Sequence, residues 1–156
     1  NELMDKQDIF QQVLTRLQDQ CSTMQQAAQS SHDAATGSES KSEGKYDTRG
    51  LEASYLASAQ AEQYENLKQA IHNLNGFIVS NGDEISHVQP GNIVEVESGG
   101  YIQHYFLLPS GGGVSLDYEG QDIVTVTPDT PVYQAILGCD KGDLVEEQDL
   151  LILDIL

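Results

Sequence analysis

Apolar residues in the first 30 positions recur at alternating intervals of four and three. This spacing is that of a heptad seam and predicts a helix that packs against a second helix. From about Gly50 to Asn75 a second helical run carries a matching seam, so the two runs predict an antiparallel hairpin. The first seam consists of Phe10, Leu14, Leu17, Cys21, Met24 and Ala28, with Leu3 one repeat upstream, and the second of Leu74, Ile71, Leu67, Tyr64, Gln60, Ala57 and Ala53.

The seam residues are bulky at the open end of this hairpin and small towards its turn. Ala27 and Ala28 are expected to meet Ala53 and Ala57 there. A helix of about 28 residues is roughly 40 Å long, so the hairpin is expected to bury little and to project. Its tip is a Ser/Gly-rich loop over about 33–49, and a loop this long is either functional or flexible.

The second half of the chain alternates between apolar and polar residues with period two. Four segments, 92–98, 101–108, 121–127 and 149–155, are predicted strands. Two more, 77–80 and 84–88, flank Asn81-Gly82, a signal for a two-residue hairpin turn. Residues 131–137 form a predicted short helix, with Thr130 as its N-cap, Pro131 at its first position and Gly138 after its end. The predicted fold class is α+β, a helical hairpin followed by a small antiparallel-sheet domain.

Composition changes at the same place as the pattern. All four prolines and eleven of the fourteen glycines occur at or after Gly76. We therefore expect two parts, a hairpin over 1–76 and a sheet domain over 77–156. The net charge of −18 would repel nucleic acid and anionic lipid at long range, so a partner with a basic surface is expected instead.

No constellation of residues points to an independent enzyme. The two cysteines, Cys21 and Cys139, lack disulfide-framework or metal-ligand spacing. His87 and His104 alternate with apolar strand residues, as satisfied or surface histidines do. Ser110-Gly-Gly-Gly113 lacks the Gly-Lys-Ser/Thr of a phosphate loop and is predicted to be a turn. With no signal-peptide pattern and no run of about 20 apolar residues, we expect a cytoplasmic protein without a membrane partner.

The segment Thr130-Pro-Val-Tyr-Gln-Ala-Ile-Leu-Gly-Cys-Asp-Lys-Gly-Asp-Leu-Val145 resembles the C-terminal signature of bacterial Gre-type transcription elongation factors, the GreA/GreB family. Gly91-Asn-Ile-Val-Glu-Val96 is similar to the opening strand of that family's C-terminal domain. Thr130 stands for the usual Ser, and Tyr133 stands where a small residue is usual. The matching positions are Pro131, Ala135, Leu137, Gly138, Gly142, Asp143 and Val145.

The resemblance implies an FKBP-like C-terminal domain that docks on bacterial RNA polymerase. The signature itself is explained by folding alone. Thr130 is expected to cap the short helix, Ala135 and Leu137 to pack inward, Gly138 to adopt a left-handed exit, and Gly142-Asp143 to form a turn.

The resemblance also implies a role for the hairpin tip in cleaving backtracked RNA. In the family, tip carboxylates help to hold a magnesium ion of the polymerase active centre, which requires several oxygen ligands. Laid on the family pattern, Glu43 takes the glutamate position, and Ser40 falls on the aspartate with Glu39 beside it. Candidate ligands are therefore Glu43, helped by Glu39 or Asp47. No cofactor of its own and no metal in the free protein are expected.

Three functional hypotheses stay open at this point. The protein is an accessory factor that enters the polymerase secondary channel and stimulates transcript cleavage, or one that occupies the channel without cleaving. The rival from another class is a coiled-coil assembly protein, whose seam self-associates. An active prolyl isomerase would rest on fold analogy alone.

Overall fold

The computed structural model describes residues 4–36, 56–79 and 85–156, with the backbone alone for 31–36. The described residues form three α-helices, six strands and one 3₁₀ turn. In chain order these are α1 (Lys6–Thr36), α2 (Ser58–Asn75), β1 (Ile93–Ser98), β2 (Tyr101–Leu107), β3 (Ser115–Tyr118), β4 (Gln121–Val126), α3 (Pro131–Ile136), β5 (Leu144–Val145), the 3₁₀ turn (Glu146–Gln148) and β6 (Leu150–Ile155).

Helices α1 and α2 pack against each other in antiparallel orientation. The Asp5 carboxylate accepts the first free N–H groups of α1, from Gln7 at 3.0 Å and Asp8 at 3.2 Å. Further along, the Gln25 side chain donates to the Tyr64 hydroxyl. The residues buried along the seam are those that the heptad pattern indicates, namely Phe10, Leu14, Leu17, Cys21, Ala28, Tyr64 and Leu74.

The helix ends differ from the sequence prediction. Helix α1 continues to Thr36, through the first four residues of the predicted tip loop. Helix α2 begins at Ser58 rather than near residue 50, and Ala57 precedes it in extended conformation, with its N–H bonded to the Gln60 side chain at 3.3 Å. Ala27, Ala57 and Gln60 are exposed, so the expected packing of Ala27 and Ala57 near the turn and of Gln60 in the seam is wrong. Ala53 lies outside the described residues. The loop residues 37–49 lie outside the described residues.

The six strands form one sheet in the order β3-β4-β2-β1-β6-β5. Neighbouring strands are antiparallel except β2 and β4, which run parallel. The predicted α+β class is thus confirmed, with one parallel pair in a sheet that was expected to be antiparallel throughout. That pair arises because the chain leaves β2, passes the Ser110–Gly113 turn, and forms β3 before returning as β4.

The predicted hairpin around Asn81-Gly82 is wrong for its described residues. Neither 77–79 nor 85–88 is a strand. Val79 is buried, and Phe77 contacts Phe10 with ring centroids 6.3 Å apart. The backbone of Val88 bonds instead to the end of α3, through its N–H to Cys139 O at 2.9 Å and its carbonyl from Gly138 N at 2.8 Å. Packing on α1 and α3 therefore replaces pairing between the two segments. Residues 80–84 lie outside the described residues.

Each face of the sheet has its own hydrophobic core. One core joins the base of the hairpin to the sheet, with Phe10, Leu17 and Leu74 packed against Phe106 and Ile123. The other lies on the opposite face, beneath α3. The base of the hairpin therefore does not project, contrary to expectation. The 16 residues of α1 from Cys21 to Thr36 extend past this core over about 24 Å, where the buried Cys21, Ala28 and Tyr64 lie outside both clusters.

Candidate functional site

The signature segment begins with a helix cap that differs from the expected one. Thr130 has extended backbone angles at the N-cap position of α3, and Pro131 occupies the first turn. The Thr130 hydroxyl donates back to Thr127 O at 2.7 Å and does not cap the helix. The Gln134 side chain donates to Pro128 O at 2.9 Å. Thr130 thus fixes the bend that enters α3, whereas the helix start depends on Pro131 and on Gln134 N bonding to Thr130 O at 3.2 Å.

At the end of α3, one residue that is predicted to face inward is exposed. Leu137, which the sequence pattern places in the core, is 44 % exposed, whereas its neighbour Ile136 is fully buried. The reason is that the helix ends at Ile136 and Leu137 is already extended, with φ −58° and ψ 127°. Ala135 packs on the second core as expected. Gly138 has φ +83°, the predicted left-handed exit.

The next residues form a tight turn that leads into the edge strand β5. Asp143 Oδ2 accepts the N–H of Asp140 at 2.8 Å, and Asp143 N donates to Asp140 O at 3.1 Å. Gly142 has φ +93°, and its N–H reaches Ile152 O at 2.8 Å. The predicted Gly142-Asp143 turn is therefore present, and it joins the end of α3 to the last strand of the sheet.

Cys139 lies inside this turn in an environment that suppresses its reactivity. Burial raises the pKa of its thiol, and the charges of Asp143, Glu147 and Asp140 raise it further. The Sγ atom donates weakly to Ala135 O at 3.4 Å. A nucleophilic cysteine requires the opposite setting, with a lowered pKa. The Cys139 thiol is thus a structural group.

Both histidines are satisfied by neighbours, as the sequence predicts, although only His104 lies on a strand. His104 is buried, and its Nε2 lies 3.0 Å from Glu95 Oε2 across the β1–β2 pair. His87 is exposed and bonds to Ser86 Oγ at 2.9 Å and to Gln89 Nε2 at 3.1 Å. The described contacts of both histidines are those of satisfied side chains.

A polar cleft that the sequence reasoning missed adjoins the signature segment. It lies between the C-terminal half of α2 and the turns at 109–113 and 127–130, and Asn66, Asn73, Asp129 and Thr130 line it. Asn73 Nδ2 donates to Ser110 Oγ at 2.9 Å. The amide residues at 66, 69 and 73 form a polar stripe at helical spacing, which is the signal that could have indicated it.

The candidate tip carboxylates Glu39, Glu43 and Asp47 lie outside the described residues. Within 4–36, 56–79 and 85–156, no group of three His, Cys, Asp or Glu side chains could hold a metal ion. Over the same ranges, no helix is both long enough and apolar enough to span a bilayer.

Solved structures similar to this chain include two of one kind. One is GreA factor homolog 1 (Gfh1) of Thermus thermophilus, with 17 % identity over 96 % of this chain and 93 % of that chain and a TM-score of 0.36. The other is Thermus aquaticus Gfh1, with 18 % identity over 90 % and 92 % and the same TM-score. No family model and no curated protein matches the chain. Likenesses of this strength do not establish a function, which has to be argued from the residues of this chain.

Proposed function

We propose that this protein is a Gre-like accessory regulator of bacterial transcription elongation that binds RNA polymerase. The observation that carries the proposal is the segment Thr130–Val145. It folds as a proline-started helix, a left-handed glycine, an Asp143 turn and an edge strand. Pro131, Ala135, Gly138 and the Gly142-Asp143 turn have the positions that their residue types predict, whereas Leu137 does not.

The shape of the hairpin supports a role inside a channel. Past the shared core, helix α1 continues for about 24 Å, and α2 accompanies it from Tyr64, which bonds to Gln25, back to Ser58. Over 21–30 of α1 its exposed side chains are uncharged, and they include Gln26 and Gln29. A narrow polar rod of this kind fits an aqueous pore without strong attraction to its walls. We propose that it enters the secondary channel of the polymerase.

The charge distribution supports docking of the acidic sheet on a basic surface of the partner. Residues 85–156 contain twelve Asp and Glu residues against the single Lys141, a net charge of −11. A surface of this sign steers the protein towards a positively charged region of a partner and raises the association rate at low ionic strength. The sheet would then anchor the protein while the hairpin reaches inward.

A binding assay with core RNA polymerase tests the association. We expect the full chain to be retained by immobilised bacterial core enzyme at low salt and to be released as salt rises, because screening weakens long-range attraction between charges. Absence of retention at low salt would contradict both polymerase roles.

A cleavage assay on a stalled, backtracked elongation complex separates the two roles. If the tip is catalytic, Glu43→Ala lowers the cleavage rate by at least about tenfold, or roughly 1.4 kcal/mol of barrier, because it removes one oxygen ligand of the polymerase magnesium. Affinity for polymerase should hardly change. Glu39→Ala is the neighbouring comparison, and unaltered cleavage in both variants would exclude the catalytic role. No stimulation by the wild type would place the protein in the non-cleaving class.

Self-association of the helices remains the alternative from a different class. The seam residues Leu14, Leu17 and Cys21 are already buried within one chain, which favours the intramolecular hairpin. A mass measurement tests this point, and a stable dimer that dissociates on Leu17→Asp would support the alternative.

A further inference from the structure

A row of residues with an exposed aliphatic side chain at each end crosses four neighbouring strands of the sheet. Leu144 on β5 pairs with Leu151 on β6, Leu151 pairs with Glu97 on β1, and Glu97 pairs with Ile102 on β2. Residues directly opposite each other on antiparallel strands point to the same side of the sheet. These four residues, three aliphatic and one acidic, therefore lie side by side. They are called here the apolar row. At about 4.8 Å between strands, they extend over about 14 Å.

The apolar row lies on the face that carries the hairpin, and both of its ends are exposed. Glu97 has the same strand parity as Ile93, which is fully buried in the core beneath α1. Met4, which precedes α1, lines a small cavity with Glu95 and His104 in the neighbouring row of this face. Beyond that point Ile102 is 57 % exposed and Leu144 is 63 % exposed.

The carboxylates around the apolar row differ in whether they contact a basic side chain. Glu95 contacts His104, and Asp154 contacts Lys141 at 3.4 Å. The Glu97 carboxylate accepts only the Gly100 N–H, at 3.2 Å, among the described contacts. The middle of the apolar row thus holds one carboxylate without a cationic partner in the described part of the chain.

We infer that the apolar row is a docking surface for a cationic amphipathic helix of a protein partner. The rise of 5.4 Å per helical turn is close to the strand spacing of about 4.8 Å. A helix laid along the row therefore presents one residue per turn to each strand. The complementary order is apolar over Leu144, apolar over Leu151, Arg or Lys over Glu97, and apolar over Ile102.

The charge of the chain argues against other occupants. A second copy would bring another net charge of −18 to a surface that already holds Glu97, and nucleic acid or anionic lipid is repelled in the same way. The apolar row shares Leu144 with the segment Thr130–Val145, but the polymerase role is tested with polymerase and this inference with a peptide, so either can fail without the other.

The test uses the full-length protein and a synthetic 18-residue helical peptide. The peptide has leucines on one face at three of four successive turns, arginine at the third turn, and alanine, glutamine and lysine elsewhere. We expect saturable binding by fluorescence anisotropy, with ¹⁵N amide shifts confined to residues around the apolar row. Ile102→Ser and Leu144→Ser should each weaken binding by about tenfold, because each removes a buried aliphatic contact. Glu97→Gln should weaken binding and reduce its salt dependence.

Tyr101→Ser provides the matched control. Tyr101 is 81 % exposed and adjacent to Ile102, but its side chain points to the opposite face of β2. The inference predicts unchanged peptide binding in this variant. Three results would overturn it: equal weakening by Tyr101→Ser, equal binding of a peptide with the same composition in scrambled order, or a wild-type dimer in sedimentation equilibrium that Ile102→Ser dissociates.

Discussion

At the scale of single residues, the junction between hairpin and sheet depends on one glycine. Gly111 has φ +77°, and a Cβ atom there would lie 3.0 Å from Leu17 Cδ1 and 3.0 Å from Leu74 Cδ1. The turn at 110–113 can be read from the sequence as a run of glycines. Its contact with both helices could not be, because the contact depends on how the hairpin lies on the sheet.

Gly111→Ala is therefore expected to destabilise the protein more than Gly113→Ala. Gly113 has φ +81° but nothing within 4 Å of the added carbon. Its substitution should cost about 1 kcal/mol for the left-handed backbone alone. At Gly111 the crowding of two leucines adds about 1–3 kcal/mol. Urea unfolding followed by circular dichroism measures both values, and equal losses would show that the helices yield without cost.

A second residue-scale prediction concerns the Cys139 thiol. Its pKa is raised by burial and then by Asp143, Glu147 and Asp140, so the folded protein holds less thiolate at pH 8–9 than the unfolded chain. In a Cys21→Ser background, iodoacetamide should alkylate the native protein more slowly than the urea-unfolded protein. Glu147→Gln should speed the native reaction, and Glu119→Gln, which removes an equal charge elsewhere, should not. Equal alkylation rates for the native and the unfolded protein would contradict a raised pKa of the Cys139 thiol.

The raised pKa of Cys139 also affects how the stability of the fold depends on pH. Because the folded pKa of Cys139 exceeds the unfolded one, its contribution to folding is fully present below the unfolded pKa. It is lost as the pH rises through the folded pKa. Any loss from this group therefore belongs to the alkaline side of the stability profile.

At the scale of elements, the short helix α3 shows how a one-residue difference in helix length changes which side chain is buried. The sequence predicts a helix over 131–137, and the structure ends it at Ile136. A helix one residue longer would turn Leu137 inward. The early end, followed by the left-handed Gly138, buries Ile136 and exposes Leu137.

Alanine substitutions at these two neighbours should differ strongly. Ile136→Ala is expected to cost about 2–5 kcal/mol, the range for truncating a buried aliphatic residue. Leu137→Ala should cost less than about 1 kcal/mol, because about half of the side chain is already in water. Thermal or urea unfolding of the two variants measures the difference. A larger loss at Leu137 would mean that the helix continues past Ile136.

Element by element, periodic segments were easier to predict than segments that pack irregularly. The strands around Val94, Phe106, Ile123 and Ile152 follow from the alternation of apolar and polar residues, although adjacent residues such as Phe106 and Leu107 are buried on opposite faces of the sheet. The hairpin at Asn81-Gly82 was predicted from local turn propensity. Phe77 and Val79 instead pack on α1, so tertiary contacts outweigh that propensity. For the candidate site, the backbone of the Gly138 and Gly142 turns was predictable, whereas the polar cleft was not, since three segments distant in sequence form it.

At the scale of the whole molecule, the change in composition near Gly76 does not coincide with a gap in the core. Leu17 and Leu74 from the first part pack in one cluster with Phe106 and Ile123 from the second. The Tyr118 hydroxyl donates to Asp8 at 3.1 Å, and Arg16 donates to Ser115 O at 3.0 Å. The base of the hairpin is thus part of the fold of the sheet, and the distal rod is the part of α1 that extends from it.

Hairpin and sheet are therefore expected to unfold in one cooperative transition. The helices have no separate core at their base, because the same cluster that joins α1 to α2 also covers the sheet. Far-ultraviolet circular dichroism at 222 nm, which follows mainly the helices, and amide exchange of the strands should give the same urea midpoint. Leu74→Ala should lower the free energy of unfolding by about 2–5 kcal/mol. Both urea midpoints should fall together. Two separate transitions, or a midpoint for the strands that does not respond to Leu74→Ala, would mean that the two parts fold independently. A chain of residues 1–76 alone provides the complementary measurement: we expect it to be largely unfolded, since Phe10, Leu17 and Leu74 lose the sheet against which they are buried.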